Sequence, residues 1–172
     1  YFLYRHDPNE ATVTIKTVGT TYTNAWIVPS TARVVGAGGA FWTTDLTLMN
    51  PEAVAISVNL KFLGHGDSGL SGPERTFTLP PMSSLVLPDV LGNNFGLASD
   101  WGPVLVRTVT GSVVTQAQTS TPGGGGTYGQ SVPAVARANA ITTTPQTICG
   151  IRQDSEFRTN VVLVNLAEQN AQ

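Results

Sequence analysis

The stretch "AVAISVNLKFL", residues 53–63, alternates apolar and polar side chains without a break. Such a period of two predicts a half-buried β-strand. The stretch "FWTTDLTLMN", residues 41–50, alternates in the same way, and the turn-forming pair Asn50-Pro51 follows it. We therefore expect residues 42–50 and 54–62 to pair as an antiparallel hairpin. The side chains expected on its buried face are Val54, Ile56, Val58, Leu60 and Phe62.

The rest of the chain repeats this pattern in shorter pieces. Strand-like segments rich in Val and Thr occupy residues 11–18, 75–79, 84–87, 103–110, 112–119 and 127–132, with Gly or Pro between most of them. Residues 88–96 offer a helical turn that Asp89 can cap, but Gly92 keeps it short. The sequence predicts an all-β protein with an antiparallel Ig-like β-sandwich and at most one or two short helical turns near 89–95.

Composition and charge exclude several partners. Charged residues make up 12% of the chain and the formal net charge is −2. The basic stripe that nucleic acid binding requires is missing, and no apolar run is long enough for a membrane helix, so we expect neither nucleic acid nor membrane insertion within this chain. Cys149 is the single cysteine, so a disulfide within the chain is impossible.

Two pairs of segments indicate a tandem repeat. "WTTDLTLMN" from Trp42 aligns without gaps on "FRTNVVLVN" from Phe157. "IVPSTAR" at 27–33 aligns on "SVPAVAR" at 131–137. The order is the same in both copies, and the copies differ by one longer loop. In this alignment Leu48 meets Leu163, and Asn50 meets Asn165.

The repeat predicts a division of the chain. Residues 1–33 would be the terminal strands of a preceding repeat or an N-terminal extension, residues 34–141 a complete β-sandwich module, and residues 142–172 the start of a following repeat. The last segment contains an apolar strand without its hairpin partner, and unpaired strands invite another chain. We expect this assembly strand to pair with neighbouring repeats or subunits. Its key residues would be Phe157, Val161, Leu163 and Asn165.

Four segments together resemble a known kind of module. They are "FWTTDLTLMNPEAVAISVNLKFL", "LPPMSSLVLPDVLGNNFG", "GTYGQSVPAVAR" and "GIRQDSEFRTNVVLVNL". They are similar to a tandem Ig-like β-sandwich repeat of large exported bacterial surface proteins. The resemblance implies an extracellular or cell-surface location, a structural or adhesive role and no catalytic residues. Head-to-tail pairing of the assembly strand would give filaments or long arrays. We expect no cofactor.

The loop "GHGDSGLSG", residues 64–72, contains the residue types of a serine protease triad. Residues packed into four consecutive positions of one loop do not give the geometry in which a base bridges nucleophile and acid. We therefore interpret 64–72 as a hairpin loop and expect the chain not to be an enzyme.

Aromatic side chains support an alternative function. Trp26, Trp101 and Tyr128 are amphipathic rings that could stack on sugars. On this alternative, the chain would be a carbohydrate-binding module accompanying an exported enzyme, with glycan as its partner.

Overall fold

Nine β-strands and three short helical turns account for the regular structure of the residues described. In this computed structural model, residues 21–67, 69, 71–140, 147–155, 159 and 161–165 are described. The strands are β1 (Asn24–Val35), β2 (Phe41–Met49), β3 (Ile56–Phe62), β4 (Glu74–Leu79), β5 (Ser84–Leu87), β6 (Asp100–Thr108), β7 (Val114–Gly123), β8 (Gly126–Pro133) and β9 (Val135–Ala136). Helical turns span Ala37–Gly39, Val90–Asn94 and Arg137–Asn139. The all-β prediction is confirmed, including the short turn after Asp89.

The strands form two layers that β1 joins. All pairings are antiparallel, along the path β4-β3-β6-β1-β2-β7-β8, with β5 added to β2 and β9 to β1. The first part of β1 pairs with β6, whereas its last residues, Val34 and Val35, pair with Trp42 and Phe41 of β2. Layer one is therefore β4-β3-β6-β1-β9, and layer two is β5-β2-β7-β8.

One hydrophobic core lies between these layers. Layer one contributes β3, β4 and β6 side chains, and layer two contributes β2, β5, β7 and β8 side chains, to a single buried cluster. Burying each Val, Leu, Ile or Phe side chain contributes roughly 1.5–3 kcal/mol. The largest fully buried apolar side chains are Phe62, Leu46, Leu48, Leu60, Leu79 and Leu91.

The predicted hairpin between residues 42–50 and 54–62 is wrong. β2 pairs with β7, β5 and the end of β1, whereas β3 pairs with β4 and β6 in the other layer. Alternation fixes which face of a strand is buried, but it does not fix the layer to which the strand belongs. Ile56, Val58, Leu60 and Phe62 are buried as predicted, but Val54 precedes β3 and is 66% exposed.

Asn50 directs the chain from one layer to the other. Its side chain is fully buried, and Nδ2 lies 2.8 Å from the Val54 carbonyl oxygen, 3.1 Å from that of Leu79 and 2.8 Å from that of Pro80. Oδ1 accepts the Glu52 N–H at 2.9 Å. These bonds tie the segment after β2 to the end of β4, so the chain crosses the sandwich instead of reversing beside β2.

The predicted division of the chain can be compared with the observed strands at one boundary. The boundary between residues 33 and 34 falls inside β1, so residues 24–33 belong to the sandwich through β6. The strand predicted at 11–18 and Phe157 of the assembly strand lie outside the described residues. Residues 161–165, predicted as part of a paired strand, have no regular structure here.

Within the described part of the chain, no helix is both long enough and apolar enough to cross a membrane.

Candidate assembly edge and candidate ligand pocket

The β8 strand is a long edge without charge. It spans Gly126–Pro133 and, among the described residues, pairs with β7 alone. All its residues except Val132 are exposed. The sequence between Arg107 and Arg137 contains no charged residue. Natural sheets protect edges with charges, short strands or bulges, because free backbone groups pair with other chains. The β8 edge has none of these protections along its length, apart from the terminal Pro133.

The other edges are protected. The β4 edge carries Glu74 and Arg75. The β5 strand has four residues, and the turns at its two ends contain Met82 (φ 52°) and Asp89 (φ 42°), both in the left-handed region. The β9 strand has two residues. Short or charged edges are poor templates for a further strand, so β8 is the edge best suited to accept one.

The predicted assembly strand is exposed where it is described. Val161 is 52% and Leu163 85% exposed, and Asn165 is also exposed. Ahead of it the chain folds back on itself. The Arg152 N–H donates to Thr159 Oγ1 at 3.0 Å, and that hydroxyl donates to the Arg152 carbonyl at 2.9 Å. Apolar side chains of this segment are thus presented to solvent and not to the core.

A shallow pocket lies where the 63–73 loop meets β6. It has a volume of about 180 Å³, and its lining includes Phe62, Asp67, Ser71, Leu97 and Asp100. The loop approaches β6 closely at Gly102, because a Cβ atom there would lie 2.3 Å from the Leu63 carbonyl oxygen. The pocket therefore places two carboxyl groups at one end of the sandwich.

Trp101 lies beside this pocket on the outer face of layer one. It is 40% exposed, and the His65 ring stacks on it with centroids 3.6 Å apart and an interplanar angle of 21°. The His65 N–H donates to the Trp101 carbonyl at 3.1 Å. His65 is therefore an anchor of the loop. In the described residues, no three His, Cys, Asp or Glu side chains gather to hold a metal ion.

The three predicted stacking aromatics do not share a surface. Trp26 lies opposite the buried Val106 in the register and packs against the core, whereas Trp101 lies on the outward face of the same two strands. Tyr128 lies in layer two, and its ring packs over Gly123 at the tip of the β7–β8 hairpin. A Cβ atom added at Gly123 would lie 2.9 Å from that ring. Trp101 directly follows Asp100, which lines the pocket at the 63–73 loop.

A polar network that sequence reasoning missed holds the turn after β5. Arg33 Nε lies 2.9 Å from Asp89 Oδ2, and the Asp89 N–H donates to Asp45 Oδ1 at 2.9 Å. The Arg33 guanidinium also lies 5.1 Å from the centre of the Phe41 ring. The signal was present in the repeat alignment, because Arg33 meets Arg137 and Asp45 meets Asn160. A network of this kind serves structure, not catalysis.

A second network covers the outward face of layer one. Glu74 binds Lys61 at 3.2 Å and Arg107 at 2.9 Å, and it accepts from Asn59 at 3.2 Å. Burial alone would raise the pKa of Glu74. The hydrogen bond from Lys61 and the charge of Arg107, with smaller contributions from the hydrogen bonds of Asn59 and Arg107, outweigh it and hold the pKa below its ordinary value. The carboxylate is therefore charged at neutral pH.

Comparisons with known proteins support the fold alone. No protein-family model matches the chain, and no curated protein matches it. The crystal structure of Thermotoga maritima 1070 is similar with a TM-score of 0.52 and 16% sequence identity, over 65% of this chain and 92% of that one. At this identity the similarity shows a shared β-rich fold and carries no function.

Proposed function

We propose that the chain is a non-catalytic structural or adhesive β-sandwich module of an exported, repeat-containing surface or filament-forming protein. Its work is to pair strands with neighbouring repeats or subunits. The observation that carries the proposal is the β8 edge, an uncharged strand of eight residues, seven of them exposed, whose outer backbone groups lack a strand partner among the described residues. The extracellular location and the absence of catalysis rest on the resemblance to exported bacterial repeats.

Strand pairing is the interaction that such an edge favours. An added strand satisfies the unpaired N–H and C=O groups through backbone hydrogen bonds, in the manner of β-augmentation. The exposed segment around Val161 and Leu163 supplies an extended apolar donor. When an edge of one copy accepts the tail of another, the contact is heterologous and produces open arrays unless a ring closes. That is the behaviour of a filament or an adhesive layer.

The full-length chain carrying Val161→Lys and Leu163→Lys tests this proposal. Charged side chains at these positions oppose strand addition to an apolar edge. We expect the native chain to increase in mass with concentration in sedimentation and light scattering, and the double variant to stay monomeric. The control is the Val54→Lys and Val86→Lys variant, which adds equal charge at exposed valines elsewhere and should assemble normally. A native chain that stays monomeric at every concentration contradicts the proposal.

The second candidate function, a carbohydrate-binding module, is favoured by Trp101 alone. Trp101 is 40% exposed and directly follows Asp100, which lines the pocket together with Asp67, and aromatic rings with carboxylates in the vicinity suit polyhydroxylated ligands. A glycan array probed with the native chain and with Trp101→Ala separates the two functions. Glycan binding that Trp101→Ala abolishes, and that Tyr128→Ala leaves intact, would favour this alternative.

A further inference from the structure

We infer that β8 is the acceptor strand and that residues 161–165 of a second copy of this chain are its occupant, lying antiparallel to β8 at the open end of the sandwich. The inference rests on the proposed function and names the surface and the segment through which it operates.

The first argument is that layer two extends beyond layer one at β8. Tyr128, Gln130 and Val132 lie opposite Thr121, Thr119 and Ala117, and these β7 residues are buried between the layers. Of the three β8 residues, Val132 is buried, whereas Tyr128 is 62% exposed and Gln130 is also exposed. Layer one ends at β9, which has two residues. The inward side of β8 is therefore uncovered over most of its length.

The second argument is chemical complementarity between edge and tail. The sequence from Thr159 to Ala167 contains no charged residue, as is true of β8. A strand of this composition adds to an uncharged edge without burying a charge, which would be costly. Alternate side chains of the added strand, among them Leu163 at 85% exposure, would reach the uncovered side of β8 beside Tyr128 and Gln130.

The third argument gives the orientation and comes from the repeat. The segment 131–137 at the end of β8 is similar to 27–33 in β1, and 157–165 is similar to β2. The segment 27–33 is irregular after Pro29, where the β1 register shifts between Val28 and Thr31. The aligned segment 131–137 is interrupted at the equivalent place, between β8 and β9. The β1 and β2 strands pair antiparallel at Val34 and Val35, just after the aligned segment, and every strand pair among the described residues is antiparallel, so we expect an antiparallel tail beside β8.

The fourth argument identifies a second copy as the donor. In the chain itself, residues 161–165 are not part of a strand, although their sequence is largely apolar and resembles the end of β2. Among the described residues, the outer edge of β8 has no strand partner, and Val161 and Leu163 are exposed outside any strand. A second copy would bring such a tail to the β8 edge, and each added copy offers a further edge and a further tail.

Disulfide trapping between two single-cysteine proteins tests this pairing directly. Both proteins are full-length and carry Cys149→Ser, which removes the native exposed thiol. One adds Gln130→Cys and the other adds Leu163→Cys. We expect the mixture, on mild oxidation, to give several-fold more mixed dimer than a control mixture in which Ser84→Cys, at an exposed position of β5, replaces Gln130→Cys.

The outcomes separate this inference from the proposed function. Equal yields of mixed dimer at positions 130 and 84, in protein that still assembles, would overturn β8 as acceptor and leave strand-mediated assembly in place. Protein that remains monomeric at every concentration would overturn both. A supporting measurement is Gln130→Lys with Ser131→Lys, which should abolish assembly while thermal unfolding stays close to native, because both side chains are exposed.

Discussion

Strand β2 and the tail that aligns with it have similar sequences and different surroundings. In β2, Leu46 and Leu48 are fully buried, and the strand has β7 on one side and β5 with the end of β1 on the other. In the tail, Leu163 aligns with Leu48 and is 85% exposed. An apolar, strand-like sequence therefore gives a segment the capacity to be a strand, and neighbouring strands decide whether it becomes one.

The same contrast separates β1 from β8. The β1 strand has β6 on one side and β9 and β2 on the other, whereas β8 has β7 alone within the described residues. In the sequence alignment, residues 131–133 of β8 match part of β1, and residues 161–165 of the tail match part of β2. Among the described residues, β8 has one neighbouring strand and the tail is not part of a strand. This is why we regard them as partners in assembly.

The largest expected effect comes from the aligned pair of leucines. We expect Leu48→Ala to lower the free energy of unfolding by about 2–5 kcal/mol, because it leaves a cavity in the core. We expect Leu163→Ala to change it by less than about 0.5 kcal/mol, as an exposed substitution does. Denaturant unfolding of dilute, monomeric protein measures both. A large loss of stability for Leu163→Ala would mean that the tail is packed in the monomer.

The next effect concerns the crossing from layer two to layer one. We expect Asn50→Ala to lower the free energy of unfolding by about 3 kcal/mol, because three carbonyl groups and the Glu52 N–H lose their partner. The matched control is Asn93→Ala, whose exposed side chain bonds the Pro88 carbonyl alone among the contacts described. Chemical denaturation of both variants checks this, and equal losses would refute the role given to Asn50.

A smaller effect is expected at Asp45. We expect Asp45→Ala to cost about 1–2 kcal/mol, since the Asp89 N–H loses its acceptor in a turn where Asp89 has a φ of 42°. Asp45→Asn introduces the residue that stands at the aligned position, Asn160, and keeps the acceptor oxygen. It should therefore retain most of the stability in a thermal unfolding assay. A loss as large as that of Asp45→Ala would point to charge, not hydrogen bonding, as the contribution of Asp45.

The smallest effect is a pH dependence at the charged β4 edge. The pKa of Glu74 is lowered, so its stabilising contribution is present above the ordinary value of 4.5 and is lost as pH falls through the folded-state value. We expect Glu74→Gln to be less stable than native at pH 7 by under about 1 kcal/mol, since the side chain is largely solvent-screened. The difference should vanish in unfolding curves below that folded-state pKa. A difference that persists there would assign the effect to packing.

Periodicity alone predicted much of the fold and little of its connectivity. The alternation of Ile56, Val58, Leu60 and Phe62 correctly gave a strand with one buried face. It could not show that β2 and β3 lie in different layers, because that depends on the buried hydrogen bonds of Asn50 with residues far along the chain.

The sequence predicted the residue types of the candidate sites but not their positions in the fold. Trp101 and Tyr128 are exposed, and their role in ligand stacking stays a prediction, whereas composition cannot show that Trp26 packs against the core. The absence of charge in β8 was visible in the sequence. Its meaning was not, because only the sheet order shows that β8 lies at an edge while the equally uncharged β7 lies inside.

Hydrogen exchange of the full chain at increasing protein concentration tests the central claim most directly. Amides of β2 provide the internal reference, because this strand has partners on both sides at every concentration. We expect amides of residues 161–165, and those amides of β8 that do not bond β7, to exchange rapidly in dilute protein and to gain protection together as concentration rises, with β2 unchanged. Tail amides that stay unprotected while the protein assembles would contradict the claim that the tail becomes a strand when a second copy provides its neighbour.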